Sequence, residues 1–147
     1  MKKNILFLNG PNLNLLHLRD KKIYGDFSLA KAEENCLALA KKLGLKIEFR
    51  QSNSEGEIIN FIQQAIEEFD GIIINGGAYT HTSIAIRDAL EIFQKPKIEL
   101  HISNIFKREA FRHHSFLSEV VDAVIVGLGI GGYSTALLAI NGLLDPV

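Results

Sequence analysis

The sequence predicts an α/β fold, a doubly wound parallel sheet of five strands with helices on both faces. Three observations lead there. Short runs rich in aliphatic and β-branched residues occupy positions 5–8, 46–50, 72–74, 98–102 and 124–126. From the second run onward they recur about every 26 residues, the length of one strand, one helix and two short connections. The segments between them carry helical periodicity, and right-handed crossovers between parallel strands put helices on both sides of the sheet. For five such strands the flavodoxin-like order 2-1-3-4-5 is expected. The whole chain, 1–147, reads as one domain.

Taken in order, the first strand is Ile5-Leu6-Phe7-Leu8. About 19 residues separate it from the first helix, whereas such connections usually have roughly 2 to 6. A connection that long in a compact domain is usually a functional lid, here over about residues 9–27. The helix predicted over 29–43 carries apolar residues at 29, 32, 36, 39, 40 and 43, with Lys31, Glu34, Lys41 and Lys42 on the other side. Ser54-Glu55-Gly56-Glu57 reads as a capping box, in which hydroxyl and carboxylate satisfy free backbone donors at a helix start. That helix is expected to bury Ile58, Ile62, Ala65, Ile66 and Phe69. A third helix is expected over about 83–93, and Pro96 bars its continuation. After the last strand, Gly127-Leu128-Gly129-Ile130-Gly131-Gly132 matches a dinucleotide-binding spelling. That motif belongs after the first strand, with an acidic residue about 20 positions on. Here it reads as a tight turn that lets the last helix pack closely.

Composition excludes several classes. Hydrophobic residues make up 47% and charged residues 22%, ordinary values for a soluble domain. A net charge of −1 gives no electrostatic footprint for nucleic acid or an anionic membrane. Cys36 is alone, so no internal disulfide is possible and a reducing compartment is expected. No apolar run reaches the roughly 18 residues of a membrane span, and the run after Lys2-Lys3-Asn4 is too short for a signal-peptide core. A cytoplasmic protein is the expectation.

Three segments at or beyond predicted strand ends hold most of the reactive groups: Asn9-Gly10-Pro11-Asn12 with Arg19 and Tyr24, Asn75 to His81, and Glu99 to Asn104. In open parallel sheets, side chains at carboxyl strand ends converge on one crevice where ligands bind. The pattern reads as an active site. Each candidate also has a structural reading. Arg19 is either a surface charge or the partner that lowers the pKa of Tyr24 and makes it a base. Glu99 and His101 share a strand face. They are either the solvated face of an edge strand, as Lys97 suggests, or a carboxylate that fixes the tautomer of an acid–base imidazole. His81 and Asp88, seven apart on the third helix, either face a ligand or serve as cap and surface ion pair. Arg108, Arg112, His113 and His114 form a basic cluster of the kind usually solvated. No His or Cys spacing suggests a metal site, no G-x-S-x-G elbow suggests a serine hydrolase, and lysines lying mainly on predicted helix exteriors or chain ends argue against a buried imine-forming lysine.

The stretch Leu8-Asn9-Gly10-Pro11-Asn12-Leu13-Asn14-Leu15-Leu16, followed by Arg19 and Tyr24-Gly25, strongly resembles the opening signature of the type II 3-dehydroquinate dehydratases. Ala78-Tyr79-Thr80-His81-Thr82-Ser83 with Arg87-Asp88-Ala89-Leu90 resembles the second block of that family, and Glu99 to Asn104 with Arg108 to Ser115 the third. The resemblance spans nearly the whole chain. It implies a flavodoxin-like fold, a homododecamer of four trimers, and dehydration of 3-dehydroquinate to 3-dehydroshikimate without metal or organic cofactor. It implies Tyr24 as base assisted by Arg19 and Arg108, and His101 as acid held by Glu99. Asn12 and Asn75 would position groups around the enolate and His101. His81, Ser103, the backbone of Ile102 and Arg112 would hold substrate, with Asp88 supplied by a neighbouring subunit. His17, Gly76 and Phe106 stand where the family generally has Gly, Pro and His, which bears on lid stiffness and on the turn beside Asn75. The competing class is a non-catalytic α/β module such as a receiver. A receiver needs acidic residues after the first strand, where Asn9 and Asn12 are neutral.

Overall fold

The computed structural model describes residues 1–24 and 28–145, without the Tyr24 side chain. Five parallel strands, β1 (Asn4–Asn9), β2 (Lys46–Gln51), β3 (Gly71–Asn75), β4 (Lys97–His101) and β5 (Ala123–Val126), form one sheet in the order β2-β1-β3-β4-β5. The expected order is therefore the observed one. The helices are α1 (Lys21–Tyr24), α2 (Leu29–Leu43), α3 (Glu55–Glu68), α4 (Ile84–Ile92) and α5 (Gly131–Leu144).

Alternation along each strand divides the core in two. Ile5, Phe7, Ile73, Ile98 and Leu100 pack with Ala32, Cys36 and Ala40 of α2 and Tyr133, Ala136, Leu137 and Ile140 of α5. Leu6, Leu8, Ile72 and Ile74 pack with Ile58, Ile62 and Ala65 of α3 and Ile86, Ala89 and Leu90 of α4. Each fully buried aliphatic or aromatic side chain stabilises the fold by roughly 1.5–3 kcal/mol, so two closed layers leave the strand ends as the place where polar groups can meet. Serine caps start three helices. Ser28 Oγ accepts from the Lys31 amide at 3.2 Å, Ser54 Oγ from Glu57 at 3.2 Å and Ser83 Oγ from Ile86 at 2.9 Å.

Four expectations need correcting. β4 is not an edge strand; it lies between β3 and β5, and all five of its residues are buried. Lys97 is accordingly inside, its Nζ donating to the Leu90 carbonyl at 2.8 Å, so the lysines are not all exterior. The alternation that gave β4 polar groups at every second position does not expose them, because α4 covers Lys97 through the Leu90 carbonyl and the segment with Ser115 and Ser118 covers Glu99. Ile66 does not join the core; it is 37% exposed, one position round the helix from buried Ala65. His81 does not share α4 with Asp88. It ends a 3-10 turn, Gly77–His81, and the helix starts after the Ser83 cap.

The connection after β1 is anchored by its own apolar residues. A 3-10 segment, Leu13–Leu18, buries Leu13 and Leu16 against the sheet and is followed by α1. The lid expected over about 9–27 thus falls within the described residues only as far as residue 24. At its root Gly10 lies so close to β3 that a Cβ there would meet the Gly76 carbonyl oxygen at 2.4 Å. The run 127–132 forms the expected turn, with Gly127 at φ 85° and Gly129 at φ 65°, a region side chains other than glycine rarely adopt.

Candidate active site

The carboxyl ends of β1, β3 and β4, the turn Gly77–His81 and the segment after β4 enclose one cleft. Its lining is Pro11, Asn12, Leu13, Arg19, Asn75, Gly77, Ala78, His81, His101, Ile102, Ser103, Ile105, Arg108 and Arg112. Of the twelve residues singled out from sequence, nine line it directly. Glu99 lies behind His101, the Tyr24 side chain is outside the described residues, and Asp88 is elsewhere, on the exposed side of α4 beside Arg87 (3.2 Å). Three guanidinium groups and, among the described residues, no carboxylate line the cleft, which suits an anionic ligand.

Its rear wall is a buried acid–base couple. His101 Nε2 lies 2.5 Å from Glu99 Oε2. Ser115 Oγ donates to the same oxygen at 2.8 Å, and Ser118 Oγ donates to Glu99 Oε1 at 2.6 Å. Burial alone raises the Glu99 carboxyl, but the bonds from His101, Ser118 and Ser115 outweigh it and hold the group below its ordinary value. Glu99 is therefore a carboxylate, an acceptor only, so His101 Nε2 carries a hydrogen. That leaves Nδ1 as the ring atom able to give or take a proton. The solvated-edge reading of Glu99 and His101 does not survive this geometry.

His81 stands beside His101 with ring centroids 6.2 Å apart and near-parallel planes. Its Nδ1 lies 2.8 Å from the His114 carbonyl, which can only accept, so Nδ1 carries the hydrogen and Nε2 is an acceptor in the neutral ring. Burial lowers its pKa, and the nearby His101 and Arg112 push the same way. The basic cluster divides: Arg108 and Arg112 line the cleft, while His113 Nε2 contacts the Arg108 carbonyl at 2.9 Å from outside it. Arg112 Nε also donates to Glu109 at 3.0 Å.

On the β1 side, Asn12 has φ 70°, the one non-glycine residue in the left-handed region among those described. Its amide donates to Asn53 Oδ1 at 3.0 Å, and Asn53 is held in turn by Gln51 Nε2 and the Tyr79 hydroxyl. Asn75 Nδ2 donates to the Tyr133 hydroxyl at 3.1 Å while its Oδ1 accepts from the Gly77 amide at 3.2 Å. Gly76 has an ordinary φ of −72°; its small size is what matters, because a Cβ would meet Thr80 Oγ1 at 2.6 Å. His17 and Phe106 are exposed.

Ser115, Ser118, Asn53 and Tyr133 were not legible as site residues. The two serines sit 16 and 19 positions after Glu99 on an irregular segment, and Tyr133 lies in an apolar helix. No period or motif links such residues to a strand end. No group of three or more His, Cys, Asp or Glu among the described residues could hold a metal ion.

Residues 3–141 match the family model described as Dehydroquinase class II. The chain belongs to that family. A protein of Agrobacterium fabrum named 3-dehydroquinate dehydratase 2 is 55% identical over 130 residues, 88% of each chain. A protein of Aspergillus fumigatus named catabolic 3-dehydroquinase 1 is 54% identical over 137 residues, 93% of this chain and 91% of the other. The crystal structure of the type II dehydroquinase from Butyrivibrio crossotus superposes with a TM-score of 0.93 at 46% identity, covering 95% of this chain and 98% of that one. The fold is thus that of the type II dehydroquinases, and the relatives are hydro-lyases by name. No helix of the described residues is long and apolar enough to cross a membrane.

Proposed function

We propose that this chain dehydrates 3-dehydroquinate to 3-dehydroshikimate in the shikimate pathway, through an enolate formed by a tyrosinate and collapsed by a histidine acid. The observation that carries the reading is the buried Glu99–His101 couple opening into a cleft lined by three arginines. Arg112 holds the substrate, together with His81, Ser103 and the Ile102 backbone. Tyr24, its pKa lowered by Arg19 and Arg108, removes the proton α to the ketone. The negative charge moves onto the carbonyl oxygen, where a water polarised by Asn12 stabilises it. As the enolate re-forms the ketone, the β-hydroxyl leaves with a proton from His101 Nδ1, giving the conjugated enone and water. Glu99 stabilises the imidazolium that donates that proton. Asn75, with Asn12, positions groups around the enolate and His101.

These steps use side chains alone, with neither metal nor imine. Lys97 is buried but starts β4 while His101 ends it, about 13 Å away at the usual rise per residue, so it serves the opposite end of the sheet. The chain assembles as a homododecamer of four trimers, in which Asp88 of one subunit reaches the cleft of the next. This assembly accounts for the exposed Ile84, Ile92, Val124, Leu128 and Leu138.

The test is ultraviolet absorbance on mixing the protein with 3-dehydroquinate, because the enone product absorbs where the substrate does not. Absorbance should rise, unaffected by a chelator or by borohydride. No rise overturns the activity; loss with chelator or borohydride overturns the mechanism.

A further inference from the structure

Behind the cleft, a hydrogen-bonded chain runs from Asn75 through the sheet. Asn9 ends β1 and Asn75 ends β3; they are paired in register and both buried. The Tyr133 hydroxyl, from α5 on one face of the sheet, lies between their side chains. Both ends of the chain are anchored on the backbone, so the direction of every bond follows. Asn9 Nδ2 donates to the Arg50 carbonyl at 3.2 Å, which can only accept, so Asn9 Oδ1 faces the phenol. Tyr133 donates its single hydrogen to that oxygen at 2.7 Å. The phenol oxygen must then accept from Asn75, and does so from Nδ2 at 3.1 Å, while Asn75 Oδ1 is occupied by the Gly77 amide.

We propose that Tyr133 is a positioning residue that fixes the amide of Asn75 so that it offers the cleft an N–H donor rather than a carbonyl. An amide nitrogen carries two hydrogens; Tyr133 takes one, and the second is the polar group Asn75 has left for a ligand. The phenol suits this task because it is held on all sides. Its ring stacks with Phe7 and Phe49 at centroid distances of 6.0 and 5.8 Å, it is buried, and burial keeps the hydroxyl protonated. A rotated Asn75 would put oxygen against a phenol that has no hydrogen left to give, and nitrogen against the Gly77 amide, two unpaired buried contacts at once.

The inference rests on the proposed dehydration for its kinetic readout. Turnover is measured for Tyr133→Phe, Asn75→Ala and the double variant, with thermal unfolding alongside. Tyr133→Phe should lower kcat by roughly 10- to 100-fold with little change in KM. If Tyr133 acts through Asn75, the double variant should turn over no more slowly than Asn75→Ala, although its unfolding temperature falls further. Multiplicative losses in kcat, or wild-type kcat in Tyr133→Phe, overturn the proposal. Should Tyr133→Phe not fold, Asn9→Ala carries the same cycle, since it removes the acceptor that directs the phenol. A wild-type protein inactive on 3-dehydroquinate would fail the functional reading instead. The crystal structure of Tyr133→Phe then decides: a rotated or displaced Asn75 amide supports the proposal and an unmoved one overturns it.

Discussion

The two walls of the cleft are built differently. The β4 wall is complete within the buried body of the domain. Glu99 has no exposed surface, His101 is nearly enclosed, and the carboxylate accepts three hydrogen bonds from His101, Ser115 and Ser118. The opposite wall is carried by the connection after β1. There Leu13 and Leu16 are buried, but Leu15 and Leu18 are 45% and 72% exposed, and Asn12 is exposed. Local stability follows buried apolar contact, so the first wall shares the stability of the sheet and the second has much less of its own. An acid must be held in one tautomer and one orientation, which favours the rigid wall. The base of the proposed reaction, Tyr24, belongs to the other.

That contrast can be broken first at Tyr24. Tyr24→Phe removes only the oxygen, so folding and assembly should survive while turnover falls by roughly 10² to 10⁴. A near-normal rate in a single-turnover assay would mean that the base lies elsewhere and that the proposed mechanism is wrong.

Glu99→Gln probes the rigid wall and should do two things. Turnover should fall by about 10- to 100-fold, because an amide supplies no charge to stabilise imidazolium. Stability should also change its response to acid. The folded-state pKa of Glu99 is depressed below its ordinary 4.5, so its contribution is present above 4.5 and is lost as pH falls through the lower folded value. Thermal unfolding followed from pH 7 to pH 3 should therefore show a shallower acid-side decline in Glu99→Gln than in the wild type. Identical declines would mean that the carboxylate is not held as described.

Arg19→Ala should slow the reaction less than Tyr24→Phe. It should move the basic-side dependence of activity to higher pH, because the phenolate loses a cation that favours it. A pH–rate profile with an unmoved basic limb would remove Arg19 from the role of activating the base.

The smallest effect is expected at Leu18, whose exposure on the loop predicts a stability change within about 0.5 kcal/mol for Leu18→Ser. Leu100→Ala, in the sheet core, should cost about 2–5 kcal/mol by the same denaturant titration. Comparable losses at both positions would erase the difference between the two walls.

The chain order of strands and helices was legible because each element announces itself locally. The apolar run 5–8, the periodicity of 29–43, the Ser54 cap and Pro96 each depend on neighbours within a few positions. The convergence of Asn12, Asn75, His81 and His101 was legible for the same reason, since parallel topology sends every strand end to one side. The misreadings at Lys97 and Ile66 have the opposite cause. What covers the polar face of an interior strand, and how far round a helix its neighbour reaches, depend on packing partners distant in sequence.

The sequence by itself determined the architecture, the strand ends that bear chemistry and the family to which the chain belongs, because short-range periodicity and contiguous motifs encode them. Only the tertiary structure decided which partner each polar group has. Glu99 meets Ser115 and Ser118, Asn12 meets Asn53, and Asn9 and Asn75 meet a phenol from α5, separated from it by 124 and 58 positions. The physical reason is directional: a buried donor or acceptor must find a complement wherever the fold brings one within about 3 Å, and no local pattern records that distance.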